Sequence, residues 1–353
     1  MMLKKYLPVI SFFAGFVWDA LTIGKNVHGS DLIILSAYLF ATIPIIAWLV
    51  KKANLLINNA AQTTLATSVS FQDATWKARL PYLLLQFLFG SLFSALFILY
   101  FKSSSHSAAF AWSVGLAVLL VANEFLETAY RRFTLIWTLF GFCLILLLNF
   151  VLPYTIGSVH WLWFFVSIIL AVVITQALKL TLSPHLGNIY PTYLLAVFIA
   201  SVYVLDVIPP VPLVIKDIQV GIKLEKVANT YVLQQDKAPT WRFWKSTLNS
   251  VHIAPGEKVY CISAVFAPER LETQLFHHWQ LYSEKNGWQS MSRIGFALTG
   301  GRNQGYRGYT YKQNVSFGLW RVKVETKNGR TISVHQFTIN NNTANKRKIL
   351  KVI

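Results

Sequence analysis

The sequence predicts two parts: an α-helical membrane bundle of about seven spans, then an all-β, antiparallel sandwich domain. Three observations predict it. Hydrophobic residues make up 54% of the 353-residue chain and charged residues only 13%, about half the charged share of an ordinary soluble domain. The apolar residues concentrate in the first two-thirds of the chain. From residue 213 onward the pattern changes to short runs of β-branched and aromatic residues separated by turn signals.

A helix crossing the hydrocarbon core needs about 20 mostly apolar residues. Seven segments meet that need: Tyr6–Ile23, Leu32–Val50, Leu80–Phe101, Ala108–Ala129, Phe133–Leu152, Val159–Leu178 and Tyr190–Val207. Asn123, Glu124 and Glu127 interrupt the fourth. Lys4 and Lys5 precede the first, and no small-x-small cleavage site follows it, so it reads as an uncleaved span rather than a leader. Cytoplasmic loops concentrate Lys and Arg. With the N-terminus inside and an odd count, the inner side carries Lys4, Lys5, Lys51, Lys52, Lys77, Arg79, Arg131, Arg132 and Lys179. The outer connecting loops carry Lys25 and Lys102. That asymmetry puts the C-terminal domain outside the cytoplasm, in the periplasm of a bacterium. Tyr154, Trp161, Trp163, Tyr190 and Tyr193 fall at span ends, where amphipathic rings favour the headgroup layer. Pro209, Pro210 and Pro212 cannot continue the last helix, so the division falls there, with residues 1–210 in the bundle and 211–353 in the β-domain.

Ionisable residues at membrane depth are costly and therefore candidate sites. Asp19 lies near the outer end of the first span. Glu124, Glu127 and Arg131 follow i, i+3, i+7 spacing along one helical face, and Glu127 and Arg131 stand in the favourable order for an ion pair. Asp206 sits beside the prolines at the interface. No internal repeat and no paired interrupted helices, which a transporter would show, stand out.

In the tail, 258–266, 275–284, 288–298, 306–313, 319–327 and 331–339 read as strands, 213–227 as a further one, and 238–251 as a short helix or loop. Asn286-Gly287 and Asn328-Gly329 are hairpin signals that suit type I′ turns. Strands at this spacing without intervening helices suggest an immunoglobulin-like antiparallel sandwich. "GGRNQG", 300–305, has the look of a phosphate-binding loop, but such a loop opens a helix and here an aromatic strand follows; the glycines read as turn formers.

The β-domain carries 21 Lys and Arg against eight Asp and Glu, a surplus that draws a tethered domain toward anionic lipid or envelope polymer. Arg293, Arg302, Tyr306, Arg307, Tyr309 and Tyr311 form the candidate binding patch, because guanidinium forks grip phosphate or carboxylate and tyrosines add stacking area. Nucleic acid is an unsuitable partner outside the cytoplasm. His277 and His278 are adjacent, so on a strand they point to opposite faces and cannot share an ion. No metal signature, cofactor motif, nucleophile elbow or tight carboxylate pair is present. Cys143 lies in an apolar segment and Cys261 in the tail, which excludes a disulfide between them and suits buried, inert thiols.

At 277–280 ("HHWQ"), 300–312 ("GGRNQGYRGYTYK"), 318–330 ("GLWRVKVETKNGR") and 337–339 ("FTI") the chain resembles the proteobacterial membrane proteins that end in domain of unknown function 2914. "FFAGFVWDALTIG" (12–24) and "NEFLE" (123–127) are similar to that group too. The resemblance implies a polytopic inner-membrane protein with a periplasmic β-domain. It implies no activity.

The reading that follows is a membrane-anchored binding or assembly module, not an enzyme, for an anionic glycolipid, polysaccharide or envelope protein. Two others stay open. One is a lipid- or glycan-modifying enzyme with an essential carboxylate (Asp19, Glu124 or Asp206) at the membrane surface. The other is a transporter.

Overall fold

The computed structural model describes residues 28–62, 76–103, 107–124, 133–228, 230–236, 250–254, 256–341 and 348–352. Among them six helices come first: α1 (Gly29–Gln62), α2 (Trp76–Ser103), α3 (Ser107–Glu124), α4 (Phe133–Ile156), α5 (Trp161–Leu182) and α6 (Tyr190–Val204). Four are long and apolar enough to cross a membrane, over Gly29–Leu55, Leu80–Ser103, Phe133–Ile156 and Trp161–Leu182. The expectation of about seven spans is corrected accordingly. The first, 6–23, lies outside the described residues. The fourth becomes α3, an 18-residue helix that ends at Glu124, and 125–129 again lies outside them. The seventh becomes α6, whose 15 residues reach about 22 Å at 1.5 Å per residue, short of a hydrocarbon core of about 30 Å.

What stops α6 is a Schellman turn. Asp206 takes a left-handed φ of 59°. Its N–H donates to Tyr203 O (3.0 Å), and Val207 N–H reaches back to Val202 O (3.2 Å).

The helices form one compact unit and the β-strands the core of a second. In the helical unit the large apolar side chains Ile33, Phe40, Phe87, Ile169, Leu194 and Val197 are exposed, while polar Thr42, Asn149, Ser167, Thr175 and Thr192 are buried. That arrangement suits a lipid surround, where helix association relies on close packing and interhelical hydrogen bonds. Asn149 Nδ2 donates to the Tyr100 hydroxyl (3.4 Å), and the Ser167 hydroxyl donates to Asn149 Oδ1. This ties α2, α4 and α5 at one level. Gly141 on α4 leaves room for Thr175 of α5 and Thr192 of α6, and a side chain there would strike Thr192. Phe164 stacks on Tyr203 at 3.6 Å, closing α5 on α6.

The second unit runs Pro209–Ile353 and also takes in Lys102–Phe110 and Pro153–His160. It opens with a cis Val211–Pro212 bond. Its strands are β1 (Val214–Gly221), β2 (Lys223–Val227), β3 (Thr230–Asp236), β4 (Ser250–Ile253), β5 (Val259–Phe266), β6 (Glu272–Ser283), β7 (Gly287–Thr299), β8 (Tyr306–Lys312), β9 (Gly318–Thr326), β10 (Thr331–Asn341) and β11 (Lys348–Val352). They build three sheets, in the orders β1-β5-β8, β4-β10-β9-β6-β7 and β11-β3-β2. All pairings are antiparallel except β10 with β4. The first two sheets share one core. Ile218, Val220, Cys261 and Val265 meet Leu275, Trp279, Trp320, Val322, Val324 and Phe337 in it, and Val159 packs against its side.

All six expected tail strands form, and 213–227 becomes β1 and β2. One detail differs from expectation. Both Asn-Gly hairpins place only the glycine at positive φ, 65° at Gly287 and 78° at Gly329. At the second, Gly329 N–H donates to Thr326 O (3.0 Å) and Thr326 N–H to Arg330 O (2.9 Å). That is a three-residue loop of a type I turn and a glycine bulge, not the expected type I′.

Gly308 falls within the expected strand 306–313, and its packing explains why glycine stands there. It lies inside β8, and a β-carbon there would come within 2.1 Å of the Phe296 ring. The strand needs glycine for close approach, as overpacking a core costs about 1–3 kcal/mol. Gly308→Ala should lower the midpoint of the β-domain's thermal transition, and adding Phe296→Leu should recover part of the loss. An unchanged midpoint for the single variant would mean that β7 and β8 are not this close.

Candidate functional site

The strand phase of β8 sorts the candidate patch. Thr310 points into the sandwich, so with period 2 the side chains of Arg307, Tyr309 and Tyr311 point outward. Tyr309 and Tyr311 are 45% and 48% exposed. Each packs against a second tyrosine: Tyr309 on Tyr231 of β3 (5.8 Å), Tyr311 on Tyr260 of β5 (5.6 Å). Lys258 Nζ lies over the Tyr311 ring at 4.8 Å. Arg307 donates to Gln304 Oε1 (3.2 Å). Thus a basic, aromatic surface exists on the outer face of β5 and β8, and it includes Lys258, Tyr260 and Tyr231, which sequence reasoning missed. The alternation of β5 carried the signal for Tyr260. Its register opposite Tyr311 did not show in the sequence.

Tyr306 turns the other way, against the core, and Arg302 lies over its ring at 5.3 Å. The glycine segment is spent on structure. Gly300 N–H donates to Leu271 O (2.9 Å), Gly301 N–H to Ala267 O (3.1 Å) and Gly305 N–H to Arg302 O (2.8 Å). Gly305 holds the last place of that turn at φ 87°. With these amides committed to carbonyls, they form no cradle for a phosphate.

Arg293 is parted from the others. It sits on the outer face of the five-stranded sheet, with its guanidinium 3.8 Å from the Phe276 ring. Its Nη2 donates to Thr326 O (2.9 Å) and Lys327 O (3.1 Å), and its Nε lies 3.4 Å from Glu325 Oε2. Enclosed in this way it braces the β9–β10 turn and offers no open fork. Glu325, itself buried, also accepts from His278 Nδ1 (3.0 Å), and His278 Nε2 meets Ser290 Oγ (2.7 Å). Arg321 on the same face donates through Nε to Gln280 Oε1 (2.6 Å) and lies over the Trp288 ring at 4.1 Å. Burial pulls its guanidinium below the ordinary value, and Glu325 offsets part of that.

His277 faces inward, away from His278, as strand alternation requires. It is fully buried. Its Nε2 lies 2.8 Å from Ser263 Oγ of β5 and its Nδ1 2.9 Å from Thr310 Oγ1 of β8. Trp279 Nε1 donates to the same threonine oxygen (3.1 Å). Thr310 accepts from Trp279 and bonds Nδ1, and Ser263 bonds Nε2, so both ring nitrogens are engaged. In a site closed to solvent this cluster is a structural clasp between strands. His252 lies 2.8 Å through Nδ1 from Asp236 Oδ2 in a buried pair. The two residues lie 16 apart in sequence, and nothing local signals their meeting.

In the helical half, Glu124 is the last described residue of α3, and Asp206 is the left-handed residue of the α6 cap. Asp19, Glu127 and Arg131 lie outside the described residues. Among the described residues no three His, Cys, Asp or Glu side chains group as a metal site. Cys143 and Cys261 are free and buried, and burial pushes the Cys261 thiol pKa up, keeping it protonated and unreactive.

Residues 272–339 match the model of the family described as "Protein of unknown function (DUF2914)". The match covers β6 to β10 and bears out the resemblance in the tail. Comparison with curated proteins returns no match. Among solved structures, an immunoglobulin-like protein from Pseudomonas aeruginosa is similar over 30% of this chain and 96% of its own, at 11% identity and a TM-score of 0.20. A β-glucosidase from Listeria innocua is similar over 33% of this chain at 10% identity and a TM-score of 0.18. One from Kluyveromyces marxianus is similar over 38% at 8% identity and 0.17. The chain spans only 17% and 14% of those two glucosidases' own lengths. At these scores the likenesses carry neither fold nor function.

Burial lowers the His277 pKa from its ordinary 6.5 to about 3. The unfolded chain therefore takes up, below pH 6.5, a proton that the native one refuses. This contribution to stability is complete above that pH and declines as pH falls toward 3, by up to about 1.4 kcal/mol per pH unit. Denaturation followed by tryptophan fluorescence at pH 7 and pH 4.5 should show the decline, and His277→Gln should flatten it.

Proposed function

We propose that this protein is a membrane-anchored binding module whose immunoglobulin-like β-domain lies outside the cytoplasm and holds an anionic envelope glycolipid or partner through the outer face of β5 and β8. The observation that carries the reading is the pair of half-exposed tyrosines on β8, each backed by another tyrosine, beside Lys258 and Arg307. Large aromatic surface left in water beside cations is the composition of recognition surfaces, where rings supply contact area and cations supply attraction.

The distribution of charge supports this side of the membrane. The β-domain's unit also takes in Lys102–Phe110 and Pro153–His160, two helix-connecting segments in which Lys102 is the sole Lys or Arg. Lys51, Lys52, Lys77, Arg79, Arg131, Arg132 and Lys179 fall in or beside the alternate inter-span stretches of the sequence. The positive-inside rule favours the cytoplasm for those stretches and supports the reading that the β-domain lies on the outer side of a bacterial inner membrane.

Full-length protein in detergent should bind lipopolysaccharide, with affinity that weakens as salt rises. Lys258→Gln with Arg307→Gln should weaken it about tenfold, since each lost charge-assisted contact is worth roughly half of that or more. Equal binding by wild type and variant would remove this face from the proposal. A C-terminal reporter active only in the cytoplasm should stay dark; a bright one would place the domain inside and sink the envelope reading.

A further inference from the structure

On the opposite outer face of the sandwich, the structure assigns a second site: Arg321, propped on Trp288 and flanked by Lys323, receives the carboxylate of a uronate-bearing polysaccharide. This does not rest on the β5–β8 face.

Three observations carry it. First, Arg321 is held but not spent. Trp288 lies under its guanidinium at 4.1 Å and Gln280 takes its Nε–H at 2.6 Å, so the plane of the fork is set. Glu325, the acid on this face, is engaged by His278 at 3.0 Å and Arg293 at 3.4 Å instead. Both terminal nitrogens of Arg321 make no hydrogen bond among the described residues. A part-buried guanidinium with unspent donors is unfavourable in the free protein, and a carboxylate that accepts from both nitrogens satisfies it in the geometry that suits it best.

Second, the cations exceed the anions on this face. Lys323 stands two residues along β9 on the same side, about 7 Å away, and it has no acidic partner among the described residues. With Arg293, Arg321 and Lys323 set against Glu325 alone among the residues described above, the face carries a surplus of positive charge, which complements a polymer carrying repeated carboxylates. Third, Trp288 continues into Tyr282, edge to face at 5.2 Å, and Tyr282 is 43% exposed. A sugar ring has an apolar face that packs on such aromatic surface, and the outer face of an extended sheet accommodates a chain better than a compact ligand.

The probes are polygalacturonate, the neutral polymer dextran, and phosphatidylglycerol vesicles, each titrated into full-length protein in detergent. Polygalacturonate should bind and lose affinity with salt, while dextran should not bind. Arg321→Lys keeps the charge but loses the planar fork, and should weaken binding about tenfold. Lys323→Gln, at a side chain with no acidic partner among the described residues, should weaken it several-fold and retain the wild-type melting midpoint. Unchanged affinity in Arg321→Lys overturns the assignment, as it would show attraction by charge alone. Binding of dextran as tight as polygalacturonate overturns the carboxylate, and competition by the vesicles overturns the polysaccharide in favour of a lipid headgroup. Should Arg321→Lys fail to fold, Lys323→Gln decides alone: unaltered binding overturns the proposal. Polygalacturonate binding lost in the Lys258→Gln, Arg307→Gln variant but kept in Arg321→Lys overturns this site and leaves the first reading intact.

Discussion

The neutral imidazole of His277 joins two of the three sheets of the β-domain, and much of the rest depends on that contact. It meets Ser263 of β5 and Thr310 of β8 from its place on β6. Hydrogen bonds of this kind have direction, which apolar contacts lack, so they select one registry between the sheets. Because side chains alternate along a strand, fixing one inward residue on each of three strands fixes every other. His277 inward sets His278 outward toward Glu325. Thr310 inward sets Tyr309 and Tyr311 outward. Both outer faces are thus consequences of one buried polar cluster.

The same physics runs inverted in the helical half. There many large apolar side chains, such as Phe40 and Leu194, stay exposed while others pack inside, and Asn149, Ser167 and Tyr100 hydrogen-bond among the buried ones. Glycine at 141 lets α4, α5 and α6 approach closely. These contacts hold helices together where the hydrophobic effect cannot, since lipid tails are as apolar as the side chains. The two units therefore use buried polar groups for the same end, registry, within different solvents.

How much was legible in the sequence varies with the range of the interaction. The six tail strands were readable because alternation of β-branched and aromatic residues is local. The turns at Gly287 and Gly329 were readable in position but not in type, as loop length depends on where the flanking strands pair. Gly308 lay in a readable strand, but its need for glycine did not show, because its neighbour Phe296 lies on another strand. Arg293 read as one of a patch with Arg307, and the sheets separate them. The helix over the last expected span is shorter than its apolar stretch for a related reason. Hydropathy marks apolar stretches, yet the end of α6 is set by a backbone cap at Asp206 that no average detects.

By itself the sequence determined the division into an apolar helical half and a basic β-half, the strand periods and the direction of the charge asymmetry. These follow from composition and from spacings of two to four residues, which bond geometry translates directly into faces. Tertiary structure alone decided which faces meet: that Tyr311 gains Tyr260 and Lys258, that Arg321 gains Trp288, and that Arg293 is enclosed. Such partners come from strands brought together by packing and registry, and the order of strands in a sheet is a property of the whole chain's lowest free energy, which no short stretch of residues encodes.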